Sequence, residues 1–455
     1  MTDKTQSPSA LAGELRTLLR LALPLMGSQA GMMVLGVVET LIVGRAGTTA
    51  LAAASLGNVW SQGTILMAMG VVMGVDPILT QAFGAKDHLT AALTFQRGIL
   101  LSLLLGLPIS ILWLFTAPVL GMFGQEPGLA KLAGTFVAVQ APTAFGFLLF
   151  TITRQYLSGQ GLVAPAVWVV LAVNVVNVGI TYVLVFGGLG IPALGVLGAG
   201  LSGGIVRVLL PAGLLLVTFS FGLHRNAWVP WGRESLSFRR VGRIAWLGLP
   251  IGVQFGLEIW AFQIATLLAG KLGEVPLSAH GIVLNLASFS FMFPLGISTA
   301  ASVRVGNLIG AGDARGACRA ARLSLVLGAG VMGGFGLLFF LLRFQLPKLY
   351  GAEPSVAFLC AKVLPIAAAF QMFDGIQVVA SGILRGLGRT KPAAILNLGG
   401  FYALALPLAY TLGLRRGVGL QGVWWGLAAG LFFVAVGSLS LVWRESAYVV
   451  DRTRA

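Results

Sequence analysis

Gln81-Ala82-Phe83-Gly84-Ala85-Lys86-Asp87 returns as Asn307-Leu308-Ile309-Gly310-Ala311-Gly312-Asp313. In both copies an apolar stretch runs up to the motif and an amphipathic or apolar one follows. The two registers differ by 226 residues, from Asp87 to Asp313, close to half of the 455-residue chain. The same offset carries Leu21-Ala22-Leu23-Pro24 onto Leu247-Gly248-Leu249-Pro250. Two well-separated matches at one offset indicate a duplicated unit. In a membrane chain, a duplicated half is the architecture of alternating access, with substrate bound between or within the halves.

The composition places the chain in lipid. Hydrophobic residues make up 57% and charged residues 10%, with a mean hydropathy of +0.92, whereas a soluble domain carries about 25% charged residues. The net charge of +16 is assigned to loops facing an anionic cytoplasmic leaflet rather than to nucleic acid. The two cysteines, Cys318 and Cys360, are far apart and fit neither a disulfide framework nor a zinc site. The polar stretch from Met1 to Ala10 lacks the apolar core and cleavage site of a signal peptide. The first spanning segment is therefore expected to serve as an uncleaved insertion signal.

A spanning helix needs about 20 mostly apolar residues. Charges and Gly/Pro punctuation delimit twelve such segments. In the first half they run over 16–44, 50–82, 93–120, 130–156, 162–186 and 194–221. In the second half they run over 242–270, 276–308, 317–343, 355–384, 390–413 and 419–443. The expected organisation is an N-lobe at 1–221, a polar cytoplasmic linker at 222–241 and a C-lobe at 242–455. With both termini cytoplasmic, the inner segments hold 21 Lys and Arg residues and the outer ones 8, with Arg207 inside the sixth span. That bias supports termini on the inside and an even number of spans. Six spans per half make the repeat parallel, related by a pseudo-two-fold axis along the membrane normal. The 63 glycines read as close-packing positions between helices. Pro24, Pro142, Pro250 and Pro407 are candidate kinks.

Four acidic residues fall inside spans: Glu39, Asp76, Glu258 and Asp374. A charge at the bilayer centre costs at least about 2.5–3.5 kcal/mol, so such residues face a cavity or a partner and mark ion pathways. Asp76 lies close to the repeated turn and reads as structural. Glu258 has Gln254 one turn earlier and no lysine or arginine in its span near enough to pair with it. Asp374 has Gln371 and Gln377 at i−3 and i+3, which puts three polar side chains on one helical face. A carboxylate among amides without a cation is either protonated or holds a metal cation such as Na⁺ through hard oxygen ligands. Switching between those states is what ion-coupled transport requires; a permanently protonated acid bonding between helices is the structural alternative. Glu39 stands alone in the first span, and Asn174, Asn177 and Thr181 form a polar stripe on the fifth, serving either an ion site or interhelical bonding. The repeat register maps Glu39 onto Ala265 and Glu258 onto Met32, so the halves differ in their acidic chemistry. His280 and Asn285 lie on the eighth span, the histidine near its outer end. Trp260, Phe289, Phe291, Met292, Phe293 and Phe370 are candidates to line a cavity for planar cations.

Several pieces carry a resemblance: Val37-Val38-Glu39-Thr40; Gln81 to Asp87; Gly248-Leu249-Pro250 through Glu258; Pro294-Leu295-Gly296-Ile297 through Arg304-Val305-Gly306-Asn307; and Asp374-Gly375-Ile376-Gln377 through Leu384-Arg385-Gly386. Together they span essentially the whole chain and resemble the MATE (multidrug and toxic compound extrusion) family, in its NorM-like branch. The resemblance implies an all-α membrane protein of twelve transmembrane helices in two six-helix lobes forming a V. It implies efflux of cationic and amphiphilic drugs in exchange for Na⁺ or H⁺, with no cofactor and no enzymatic step. In that branch the C-lobe cation site matches Glu258 and Asp374, with Gln254, Gln371, Gln377 and Asn285 as supporting polar residues. The N-lobe site matches Glu39 with Asn177 and Thr181, beside Asn174. Two departures stand out: helix 1 usually carries Asp where Glu39 stands, and the second helix 5 position is commonly Asn or Asp where this chain has Thr181. The expected setting is a monomer in the lipid bilayer of a bacterial inner membrane. The alternative is a lipid-linked saccharide flippase of related architecture, which would need a large basic cavity for pyrophosphate. The three scattered histidines and the lack of H-E-x-x-H argue against an intramembrane enzyme.

Overall fold

The computed structural model describes residues 8–188 and 190–452. Met1–Ser7, and with it Lys4, lies outside the described residues, as does Arg454. Among the described residues there are twelve helices long and apolar enough to cross a membrane and no extended strand. They are α1 Leu11–Arg45, α2 Thr48–Gly84, α3 His88–Leu114, α4 Pro127–Gly159, α5 Ala164–Phe186 and α6 Gly195–Ser220, then α7 Phe238–Lys271, α8 Glu274–Gly310, α9 Ala314–Leu341, α10 Pro354–Gly386, α11 Thr390–Arg415 and α12 Leu420–Tyr448. In lipid each helix satisfies its own backbone groups, which a lone strand cannot do. Leu107, Val175, Leu216, Val326, Leu337 and Ile395 stand exposed, as side chains that face acyl chains should.

The repeated motif forms the same turn twice. Asp87 N–H donates to Ala82 O and Asp313 N–H to Leu308 O, both at 2.9 Å. The residue before each aspartate is left-handed, Lys86 at φ 59° and Gly312 at φ 77°. This is a Schellman-type helix stop. Each aspartate then caps the next helix: Asp87 Oδ1 accepts from Thr90 N–H at 3.0 Å and Asp313 Oδ1 from Gly316 N–H at 2.7 Å. The cap explains why α3 begins at His88 rather than near 93: the amphipathic turn before the apolar run is already helical. The same helix ends early, at Leu114, and a separate short helix Thr116–Met122 follows. The Thr90 hydroxyl and backbone N–H hold the Asp87 carboxyl below the usual carboxylate range. The cap's contribution is therefore complete at neutral pH and is lost as the pH falls through that lowered value. Asp87→Ala and Gly312→Ala are each expected to lower stability by about 1 kcal/mol, read as thermal unfolding in detergent. Asp87→Asn is expected to flatten the acid-side dependence.

The chain folds as two compact units whose borders fall inside helices. One holds α1 up to Gln29, the Gly84–Lys86 turn, and everything from Val253 onward. The other holds Ala30–Phe83 and Asp87–Gly252. Pro24 of α1 and Pro250 of α7 lie just before these borders. Each unit thus contains the start of the other repeat's first helix, and the supporting contact repeats in register. In the second unit Gly70 of α2 lies against Gly252; in the first, Gly296 of α8 lies against Met26. Both pairs are related by the 226-residue offset. In the first unit Arg304 also grips Glu14 side-on, Nε to Oε1 at 2.6 Å and Nη2 to Oε2 at 2.7 Å.

Each unit has its own core. Trp113, Phe136, Leu148, Phe150 and Tyr156 anchor one, and Phe370, Phe401 and Trp424 anchor the other. His280, near one end of α8, is fully buried, with Thr266 Oγ1 3.1 Å from Nε2 and the Trp424 ring alongside. The linker is strapped to its unit: Gln96 Nε2 donates to Val229 O at 2.6 Å, Arg97 Nη2 to Glu234 O at 2.9 Å, and Tyr156 Oη to Ala227 O at 2.8 Å. Pro142 sits in a 3₁₀ turn, Ala141–Thr143, and Pro407 stands between two π-helical stretches, Gly399–Ala405 and Thr411–Arg415. Proline removes an N–H and displaces the preceding carbonyl, which such turns absorb.

Candidate functional site

Helices α8 and α10 pack on small residues. A Cβ at Gly382 would overlap the Ser298 carbonyl, and one at Gly386 the Ser302 carbonyl. Ser298 Oγ donates to Val378 O at 2.7 Å across the same seam. This one-turn spacing of small residues lets two backbones touch in lipid. It fixes α10 and thereby Asp374, which is 4% exposed.

Glu258 on α7, 9% exposed, lies within electrostatic reach of Asp374. Among the described residues neither carboxylate makes a hydrogen bond or ion pair, and no basic residue acts on either. The flanking amides spend their N–H donors on other helices. Gln371 Nε2 donates to Ser290 Oγ of α8, and Gln377 Nε2 to Asn397 Oδ1 of α11 at 3.2 Å. Their carbonyl oxygens, one turn before and one turn after Asp374, are buried and receive no donor. Gln254 Nε2 donates to Ser381 Oγ at 3.2 Å, tying α7 to α10. Asn285 stands apart, accepting from the Tyr350 hydroxyl at 2.8 Å in an exposed position.

Two buried carboxylates with no countercharge cannot both stay ionised at acceptable cost. The two donor-free amide oxygens add hard ligands of the kind an alkali cation takes. The chemistry of the set is cation or proton capture; it contains no nucleophile–base pair. Tyr402 belongs to the site as well, although nothing in the sequence singled it out. From the π-helical part of α11 its hydroxyl donates to Leu257 O at 3.1 Å, one residue before Glu258. Phe370, one turn before Asp374, is packed edge-on between Phe262 and Trp424 rather than lining an opening.

The other unit holds Glu39 on α1. The α5 stripe does not bond to it. Asn177 Oδ1 accepts from Thr181 Oγ1 at 3.0 Å and from Ser202 Oγ at 2.9 Å, a closed knot between α5 and α6. Asn174 Nδ2 donates to Gly31 O at 3.0 Å and fastens α5 to α1. The charged residue that acts on Glu39 is Arg207, at the middle of α6. Arg207 was visible in the sequence as the one basic residue deep inside a span; its company was not. Its Nη1 donates to Gln140 Oε1, and its guanidinium lies over the Trp113 ring, 5.0 Å from the centroid.

The family model described as MatE matches residues 24–183 and 250–411. The two matches begin 226 residues apart, the offset of the internal repeat. "Multidrug resistance protein NorM" of Burkholderia vietnamiensis is 33% identical over 98% of this chain and 96% of its own. "Multidrug and toxin extrusion protein 2" of Mus musculus is 32% identical over 95% of this chain and 75% of its own. Among solved structures, that of a eukaryotic MATE transporter superposes with a TM-score of 0.88 at 24% identity, covering 97% of this chain and 99% of its own, a likeness of fold. Matched in both repeats by the family model and aligned nearly end to end with NorM proteins, this chain belongs to the MATE family, on its NorM-like branch, and is a multi-pass membrane transporter rather than an enzyme.

Proposed function

We propose that the chain is a multidrug antiporter that exports cationic and amphiphilic compounds in exchange for Na⁺ or H⁺. The observation that carries this is the Glu258–Asp374 pair: two buried carboxylates, no basic partner, and two donor-free amide oxygens beside them. The names of the NorM relatives support the drug-export part. In this reading a cation from outside occupies Glu258 and Asp374 and neutralises the site. A cationic drug that competes for the same negative charge is then released outward. The two repeats, 1–221 and 242–455 with the 222–241 linker between them, next expose the site to the cytoplasm, where an incoming drug displaces the cation. Each ligand favours the state in which it binds better, which is what couples the two fluxes. Glu39, in the field of Arg207 and apart from the Asn177–Thr181 knot, is the candidate for a second proton or ion site in the other unit. The protein works as a monomer in the bacterial inner membrane with both termini cytoplasmic.

The test is ethidium export from proteoliposomes with Na⁺ and pH gradients imposed separately. Export driven by one gradient and silent without either is expected. Equal export with both gradients collapsed contradicts the antiport reading.

A further inference from the structure

Arg207 is 9% exposed and sits at the midpoint of α6. Arginine is expensive at that depth and is retained there for a partner or a task. Its side chain is held from two sides. Trp113 lies beneath the guanidinium, and the Trp113 Nε1–H donates to Thr64 Oγ1 at 2.8 Å, which sets the ring. Gln140 takes Nη1, while its own Nε2 donates to Phe136 O at 2.9 Å, which leaves the amide oxygen facing the arginine. These supports engage one donor and one face of the group.

The remaining edge is unused. Among the described residues Nε and Nη2 of Arg207 have no hydrogen-bond partner, and both keep accessible surface, unlike the sealed Nε atoms of Arg154 and Arg385. Nε with Nη2 is the edge that receives a carboxylate side-on through two parallel bonds. The same protein displays that pairing, where Arg304 presents Nε and Nη2 to the two oxygens of Glu14 at 2.6 and 2.7 Å. Glu39 is the charged residue within electrostatic reach of Arg207, yet the two do not close into an ion pair. Interhelical glue would spend these donors on neighbouring helices, and here they are not spent.

We propose that Arg207 is a carboxylate-binding subsite of this unit, which takes the carboxylate of anionic or zwitterionic amphiphiles, with Glu39 as the internal charge that opposes it. Trp113 and Gln140 are the positioning residues. The subsite gives this unit a specific contact for the carboxylate of such amphiphiles, and it rests on the reading of the chain as an exporter of amphiphiles.

The test uses a matched pair of dyes, a rhodamine with a free benzoate carboxylate and its methyl ester, which share one aromatic cation. Binding to the purified full-length protein in lipid nanodiscs is measured by fluorescence polarisation, and the ratio of ester Kd to free-acid Kd isolates the carboxylate. In Arg207→Gln the ratio is expected to fall by about tenfold, the effect of one charge-assisted bond pair, with ester affinity unchanged. Arg207→Lys, which keeps the charge and loses the fork, is expected to fall by less. In Glu39→Gln, which removes the opposing charge, the ratio is expected to rise. A ratio unchanged in both Arg207→Gln and Glu39→Gln overturns the subsite. So does an equal loss of both dyes in Arg207→Gln, which marks a structural role. Glu39→Gln keeps the test alive where Arg207→Gln does not fold. The measurement uses no gradient, so a failure of the export reading appears in the ethidium flux and leaves this ratio untouched.

Discussion

Asp374→Asn abolishes gradient-driven export while the protein stays folded: this is the largest functional effect expected. Asp374 is buried on α10, meets Glu258 as its charged neighbour, and has no hydrogen bond to lose. Asparagine keeps the shape and removes the negative charge that a cation must find. The loss of one charged ligand is worth about 1.5–3 kcal/mol, so cation affinity should fall by roughly ten- to a hundredfold. Stability should rise slightly or hold, because an unpaired buried carboxyl group disappears. Glu258→Gln is expected to do the same, and the double variant little more, since the two carboxylates act as one site. Export in proteoliposomes and thermal unfolding, measured on the same preparations, separate function from folding. Undiminished gradient-dependent export in both single variants would sink the assignment.

Gly382→Val is expected to be the largest structural lesion. The Cβ alone would overlap the Ser298 carbonyl, and the two valine methyls extend the clash into α8. Neither partner is the free end of a side chain, so α8 and α10 must separate along a seam that Gly386 and Ser302 continue. Overpacking of this kind costs about 1–3 kcal/mol and more where backbone faces backbone. Separation also moves Asp374 away from Glu258, so export should fall together with stability. Gly330 of α9 has nothing within 4 Å of an added Cβ, and Gly330→Ala is expected to be neutral or mildly stabilising. Comparable melting temperatures for Gly382→Val and Gly330→Ala would show that the α8–α10 contact is looser than described.

The repeat was legible because it is a matter of identity and spacing. Asp87 and Asp313 cap the third helix of each half, and Lys86 and Gly312 take the same left-handed turn. The carboxylates were legible because an acid within an apolar run is rare and costly. Their bonding was not. Gln371 and Gln377 flank Asp374 in sequence as expected, yet both amides donate to other helices, and their carbonyl oxygens are left without donors. Asn177 and Thr181 share a stripe with one another, but the side chain that closes the knot is Ser202 of α6. Helix periodicity states which residues share a face and not which neighbour that face meets. The early start of α3 escaped an apolar-run reading because a cap is polar by nature.

From its sequence alone this protein was determined to be a twelve-helix, duplicated membrane chain with acids at Glu39, Glu258 and Asp374. Local pattern suffices for that, since lipid forces every span to be an apolar helix. The tertiary structure decided the rest. It cuts the compact units within α1 and α7 rather than between the repeats, leaves Glu258 and Asp374 without a countercharge among the described residues, and brings Arg207 within electrostatic reach of Glu39. Those facts depend on close backbone contacts such as Gly252 on Gly70 and Gly382 on Ser298, between residues far apart in the chain. No periodicity within one segment encodes its partner, and only packing chooses it.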